Sequence, residues 1–243
     1  MCLTEKISLI YTLRAIYKTV ASNVMKIRKY IYIILILFVS CNESNKKETE
    51  SNKILQAESN LKIEHFELKK NSNQKLSEWV EYYQNMEPNF SLENFEFKSE
   101  DTLNIIQGNV FGNYDTNFDS IYSDFLVYRN DKKKYIDFDS YNWTLDETNE
   151  LIFSPDQEIN VVDIKNKTVE RLAFRGPSQW VENAFWQNDS MIVLLENNYE
   201  KQPNITKIDL KKKSVTSFIY RDTLKFDSEY TKIRFEKLGL SYE

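Results

Sequence analysis

Few side chains of this 243-residue sequence have types that do chemistry readily, so each one carries information. His65 is the only histidine, in an alternating stretch at 63–68 that reads as an edge strand with the imidazole at or near the surface. A Ser-His-Asp relay would have to be built around it, and the sequence has no Gly-x-Ser-x-Gly nucleophile turn. One histidine and two cysteines do not make a zinc site, so neither a metal nor a cofactor is expected. Asp115, Asn117, Asp119 and Asp124 crowd one segment but lack the spacing, central glycine and terminal glutamate of a calcium loop, and read as a solvated turn. Two carboxylates in one cleft would suffice to hydrolyse a glycoside. Carboxylates are plentiful here, and the sequence singles out no pair. No glycine-rich phosphate loop or nucleotide fingerprint is present. No catalytic residue is assigned.

The most distinctive loop is Arg175-Gly-Pro-Ser-Gln-Trp180. Its Gly176-Pro177 step demands a turn, and Phe185 and Trp186 add aromatic surface nearby. Arg175, Gln179, Trp180 and Trp186 are the candidate ligand-binding residues, able to stack on and hydrogen-bond to a sugar or a peptide.

Which elements position them follows from periodicity. Leu76, Trp79, Val80 and Tyr83 recur at helical spacing, Ser72 or Asn73 can cap the start and Pro88 follows the end, which predicts one helix over 74–84. Beyond Phe90 the pattern is strand-like, with turns rich in Asn, Asp and Lys. Residues 125–128 and 135–138 predict a hairpin around a turn at 130–133, with Asp137 and Asp139 on its wet face.

Residues 159–174 align without gaps on 205–220, with five of sixteen positions identical, among them Asp163/Asp209, Lys165/Lys211 and Lys167/Lys213. Upstream of the two copies lie Trp143 before the apolar run 151–153, and Trp186 before 191–195. Each unit, about 139–175 and 181–221, therefore predicts four antiparallel strands: one carrying Trp, one apolar, then a lysine-turned hairpin. This resembles the blade of a β-propeller. Two units cannot obviously close a ring, and an incomplete propeller, an open meander sheet and a sandwich all fit a mainly β, antiparallel domain over 61–243.

The run from Met25 to Cys41 has three cations (Lys26, Arg28, Lys29), an uncharged apolar stretch at 30–39 and a small residue, Ser40, before the cysteine. It resembles the signal peptide and lipobox of bacterial lipoproteins, with Phe38 where Leu is usual. The resemblance implies that Cys41 is the lipidation site and the first residue of the mature chain. An apolar stretch of ten residues is too short to span a bilayer, which takes ~20. Two or three acyl chains, each buried methylene contributing ~0.8 kcal/mol, would hold the protein on the membrane. Residues 1–24 fit no part of such a signal; they read as an upstream extension if synthesis starts at Met25, or as an amphipathic segment on the spacing of Ile7, Ile10, Leu13 and Ile16. Residues 41–60 read as the lipidated cysteine and a polar tether, spanning about 23 Å as a flexible coil. Asn42 is not the Asp that favours inner-membrane retention in lipoproteins, so the resemblance implies the outer membrane, in either leaflet.

Residues 1–40 hold six of the 32 Lys and Arg and one of the 37 Asp and Glu, leaving 26 cations against 36 carboxylates, a net of about −10. That balance opposes binding to nucleic acid, which needs cations to displace counterions, and leaves membrane attachment to the lipid. The expectation is a lipid-anchored envelope protein carrying a non-catalytic module that binds an envelope protein, a peptide or a glycan. The alternatives are a carboxylate-dependent hydrolase of envelope or extracellular polymers and a scaffold of an outer-membrane assembly.

Overall fold

The computed structural model describes residue 68 and residues 73–240. Cys41, the tether and His65 lie outside the described residues. Helix α1 (Gln74–Met86) runs two residues past the predicted end. Asn73 caps it, its Oδ1 accepting the Lys75 N–H at 2.9 Å, and Leu76, Trp79, Val80 and Tyr83 form its buried stripe. A single-turn 3-10 helix (Leu92–Asn94) leads into β1 (Phe95–Thr102), and β2 (Ile106–Gln107) follows. A second 3-10 helix (Ser120–Phe125) precedes β3 (Val127–Tyr128) and β4 (Lys134–Asp137). Then come β5 (Trp143–Leu145), β6 (Leu151–Phe153), β7 (Gln157–Asp163) and β8 (Thr168–Arg175). The last strands are β9 (Gln179–Trp186), β10 (Met191–Asn198), β11 (Asn204–Asp209) and β12 (Ser214–Tyr220), and helix α2 (Tyr230–Lys237) follows. The strand pattern alone did not anticipate α2.

The fold is mainly β, built of antiparallel sheets. One five-stranded sheet has the order β1-β12-β11-β10-β9 and a second the order β2-β8-β7-β4-β3, while β5 and β6 pair only with each other. The four strands expected over 181–221 are β9 to β12. Over 139–175 the pairing differs from expectation: the Trp143 strand and the 151–153 strand form their own small sheet, and β7 pairs instead with β4, Tyr135 opposite Val162. The expected hairpin at 125–138 is β3–β4, with Val127 opposite Ile136.

The two large sheets face each other. Ile136, Phe138, Ile159, Val161 and Leu172 of one interdigitate with Val181, Ala184, Ile192, Leu194 and Ile208 of the other. The far face of the first sheet packs Val193, Leu195, Ile205 and Phe218 against α1. Both faces of β10 are therefore covered, which is why Met191-Ile-Val-Leu-Leu195 reads as an unbroken apolar run rather than an alternation. On the second sheet Tyr135, Val162 and Val169 are covered by the 110–126 segment, and α2 lays Phe235 against Trp143, Tyr122 and Phe125.

Asp163 and Asp209 hold hairpin turns. Asp163 Oδ1 accepts the Asn166 N–H, and Asp209 Oδ1 accepts those of Lys211 and Lys212. Lys167 (φ 53°) and Lys213 (φ 55°) then take the left-handed conformation that closes a type I turn with a bulge. Asp137 and Asp139 are not on a wet face, since both are about 1% exposed. Asp137 gathers the N–H of Asp139 and the N–H and hydroxyl of Ser140. Asp139 takes a bidentate pair from Arg234 of α2 at 2.7 and 2.8 Å. A hydrophobic pattern cannot reveal that a cation from a distant helix will arrive to satisfy a strand carboxylate.

Candidate functional site

The loop at 175–180 opens onto a cavity of about 500 Å³, within the range that encloses small ligands. Gly176, Pro177, Gln179 and Trp180 form one side. Phe153 at the end of β6, Ser154 and Pro155 just after it, and Tyr199 of the β10–β11 loop also line it. Ser228, Glu229, Thr231 and Lys232, at the entry to α2, form another wall. Trp180 is half-buried, and its ring meets that of Tyr199 edge-on at 5.8 Å. Tyr199 is 70% exposed, so it is a solvent-facing ring that the core does not use.

Of the four residues named from the sequence, Gln179 and Trp180 line this cleft. Arg175 reaches between the sheets, its Nε donating to Glu196 Oε1 of β10 at 2.7 Å, with Thr206 donating to the other carboxylate oxygen. Trp186 is at the far end of β9, its Nε1–H on Val127 O at 3.0 Å and its ring beneath the Arg129 guanidinium at 5.7 Å. The structure brings the first pair together and separates the other two.

Behind the cleft wall lies a carboxylate that sequence reasoning passed over. β9 carries a bulge: Asn183 pairs with Leu195 and Val181 with Glu196, leaving Glu182 as the extra residue. A bulge re-aims a side chain, and Glu182 points into the α1 side of the sheet, fully buried. Its Oε2 accepts Trp79 Nε1–H at 2.7 Å and Tyr83 O–H at 2.8 Å, and its Oε1 accepts the Ser228 hydroxyl at 2.5 Å. Burial raises its pKa above the ordinary carboxylate value, against the pull of hydrogen bonds from Ser228, Trp79, Tyr83 and Trp180. Asn197 extends the cluster by donating to Tyr83 Oη at 2.9 Å. Through Ser228 and Trp180, Glu182 grips both walls of the cleft from inside. An acid in the run Trp180-Val-Glu-Asn-Ala-Phe-Trp186, whose other residues except Asn183 are apolar or aromatic, was the available signal, because a buried carboxylate needs a purpose-built shell.

The other buried strand acids are satisfied individually. Glu158 receives the Asn109 N–H at 3.0 Å, the Asn109 amide and Arg171. Burial pushes its pKa up, but these donors outweigh that and leave it lowered. Asp115 and Asp119 hold turns by accepting the N–H groups of Asn117 and Ile121. Among the described residues no group of three or more His, Cys, Asp or Glu converges to hold a metal ion, and no helix is long and apolar enough to cross a membrane.

No protein-family model, curated protein or solved structure matches the chain. What the cleft can do chemically follows from its own side chains: aromatic rings, amides and hydroxyls held on a rigid frame.

Proposed function

We propose that this chain is a lipid-anchored protein of the cell envelope, attached through Cys41, whose β body is a non-catalytic binding module with its ligand site in the cleft beside Trp180. The observation that carries the reading is the pair Trp180–Tyr199: a half-buried ring at the start of β9 and a largely exposed ring just past the end of its partner β10, beside a cavity whose walls are fixed from behind by one buried carboxylate. Tyr199, at 70%, is the most exposed large hydrophobic side chain among the described residues, and it stands at the cleft. The carboxylate is enclosed by Trp79, Tyr83 and Ser228, which suits positioning rather than proton transfer to a ligand.

The anchor is tested by incorporation of labelled palmitate into wild type and Cys41→Ala; label in both or in neither removes it. The site is tested by hydrogen exchange on the full chain in detergent, with and without a solubilised envelope fraction. Protection should appear at 176–181 and 228–232 and vanish in Trp180→Ala.

We infer, too, that the two large sheets are copies of one blade-like unit. β3-β4-β7-β8 would correspond to β9-β10-β11-β12, β2 and β1 would add the fifth strand to each, and β5–β6 would be an insertion between β4 and β7. The shared strand order and the like roles of Asp163 and Asp209 in their turns support this.

A further inference from the structure

We infer that the cleft recognises a neutral saccharide, an inference that rests on the binding-site reading above. Three features select this class. First, the lining side chains include one carboxylate, Glu229, and one ammonium, Lys232, so the site's formal charges cancel and give no preference to an anionic or cationic ligand. Second, the main chain at the cleft is closed to strand addition. β9 is an edge strand, the usual invitation to an extended peptide. Here, though, the side chain of Gln157 acts as a substitute partner: its Oε1 accepts the Val181 N–H at 2.7 Å and its Nε2 donates to Val181 O at 3.4 Å and Phe138 O at 2.9 Å. The Gln179 N–H is taken by Gly176 O, and the Tyr199 N–H by Ser178 O. A peptide laid along this edge would find no ladder to join. The ligand must be read by rings and side-chain polar groups.

Third, those groups suit a sugar. A pyranose presents an apolar C–H face and a rim of hydroxyls. The indole of Trp180 and the phenol ring of Tyr199 offer electron-rich faces to the C–H side. The Gln179 amide, which makes no side-chain hydrogen bond among the described residues, offers donor and acceptor together. Thr231 Oγ1 is buried in the wall with no hydrogen-bond partner. Buried hydroxyls are seldom left so, and a turn of the half-buried Thr231 side chain would present it to a ligand hydroxyl.

The test is calorimetric titration of the full chain in detergent micelles with neutral tetrasaccharides of α- and β-linked glucose, mannose and N-acetylglucosamine. An anionic tetrasaccharide and a pool of extended decapeptides serve as comparisons. At least one neutral tetrasaccharide should bind with a Kd in the high micromolar to millimolar range. The affinity should fall at least tenfold in Trp180→Ala, in Tyr199→Ala (whose exposed ring cannot carry the fold) and in Thr231→Val, and should stay unchanged in Phe174→Ala, outside the cleft. Preference for the anionic sugar, or binding of decapeptides alone with the same sensitivity to Trp180→Ala, overturns the saccharide assignment and leaves the cleft as a binding site. Absence of binding by every probe, together with unchanged hydrogen exchange at 176–181 and 228–232 in the presence of the envelope fraction, overturns both.

Discussion

Strand β9 ends in a tryptophan region at both extremities, and the two ends have opposite characters. At the turn end, Trp186 is tied down from several sides: Val127 accepts its N–H, Arg129 covers its face, and Arg129 is itself held by Asp131 and by Asp189 O. At the loop end, Trp180 is half-buried and held only from behind, through Glu182, while its ring meets that of Tyr199 at the cleft. The same residue type serves as a bolt at one end and as a surface at the other. The difference comes from the connections: tight turns, built on Asn188 after β9 and on lysines after β11, bring the strands together at one end, while longer loops and the entry to α2 hold them apart at the other.

Five substitutions break or sharpen that contrast. Glu182→Ala has the largest expected effect, because three buried donors (Trp79, Tyr83 and Ser228) lose their acceptor at ~1–3 kcal/mol each when unpaired. A loss of about 3 kcal/mol or more should appear in the urea midpoint. Glu182→Gln keeps an acceptor for Trp79 and Tyr83 and an amide for Ser228, and should cost much less. That variant also isolates a pH dependence. The folded-state pKa of Glu182 is raised, so between the unfolded carboxylate pKa of ~4.3 and the folded value the native state binds the extra proton. Its contribution is complete below that lower limit and is lost as pH climbs through the folded pKa. Glu158 and Asp163, both lowered, act oppositely, stabilising above the unfolded value and losing that stability as pH falls. Wild-type stability minus that of Glu182→Gln should therefore decline from acid to neutral pH; a flat difference curve would show that the carboxylate is not protonated preferentially in the fold.

Trp186→Ala comes next, at about 2 kcal/mol, less than the ~3–5 kcal/mol of a fully buried Trp, and should leave ligand binding intact. Trp180→Ala should cost about 1 kcal/mol or less in thermal unfolding while removing the ligand response; equal stability costs at the two ends would erase the distinction. The smallest effect is at the turn end. Lys213 sits at φ 55°, which glycine adopts without the ~1 kcal/mol penalty of a Cβ, so Lys213→Gly should raise the melting temperature slightly.

Legibility in the sequence followed the reach of the interactions. Helix α1 was legible because its cap and its stripe of Leu76, Trp79, Val80 and Tyr83 are local. The hairpins at 125–138 and 205–220 were legible because Asp and Lys turn chemistry is local as well. Half of the cleft was legible, since Gly176-Pro177 and Trp180 stand together in the chain. Its other wall, Ser228 to Lys232, is distant in sequence and has no pattern of its own. The acids failed for the same reason. Asp137 and Asp139 alternate as exposed residues would; Arg234, 95 positions beyond Asp139, makes the burial of Asp139 tolerable, and donors of residues 139 and 140 that no apolar pattern reveals do so for Asp137. The four-strand reading of 139–175 went astray because adjacency along the chain was taken for adjacency in a sheet, whereas β7 passes over β5–β6 to reach β4.

The pairing of β1 with β12 sets Phe95 beside Tyr220, a separation of 125 positions. Closing so long an interval costs chain entropy that nearby contacts cannot return. During synthesis, or during passage through any narrow conduit, β1 emerges first and must wait, unpaired, for almost the whole body to follow. The sheet is thus zipped shut last by its oldest strand, and a chain truncated before 214 would present that bare edge to its neighbours.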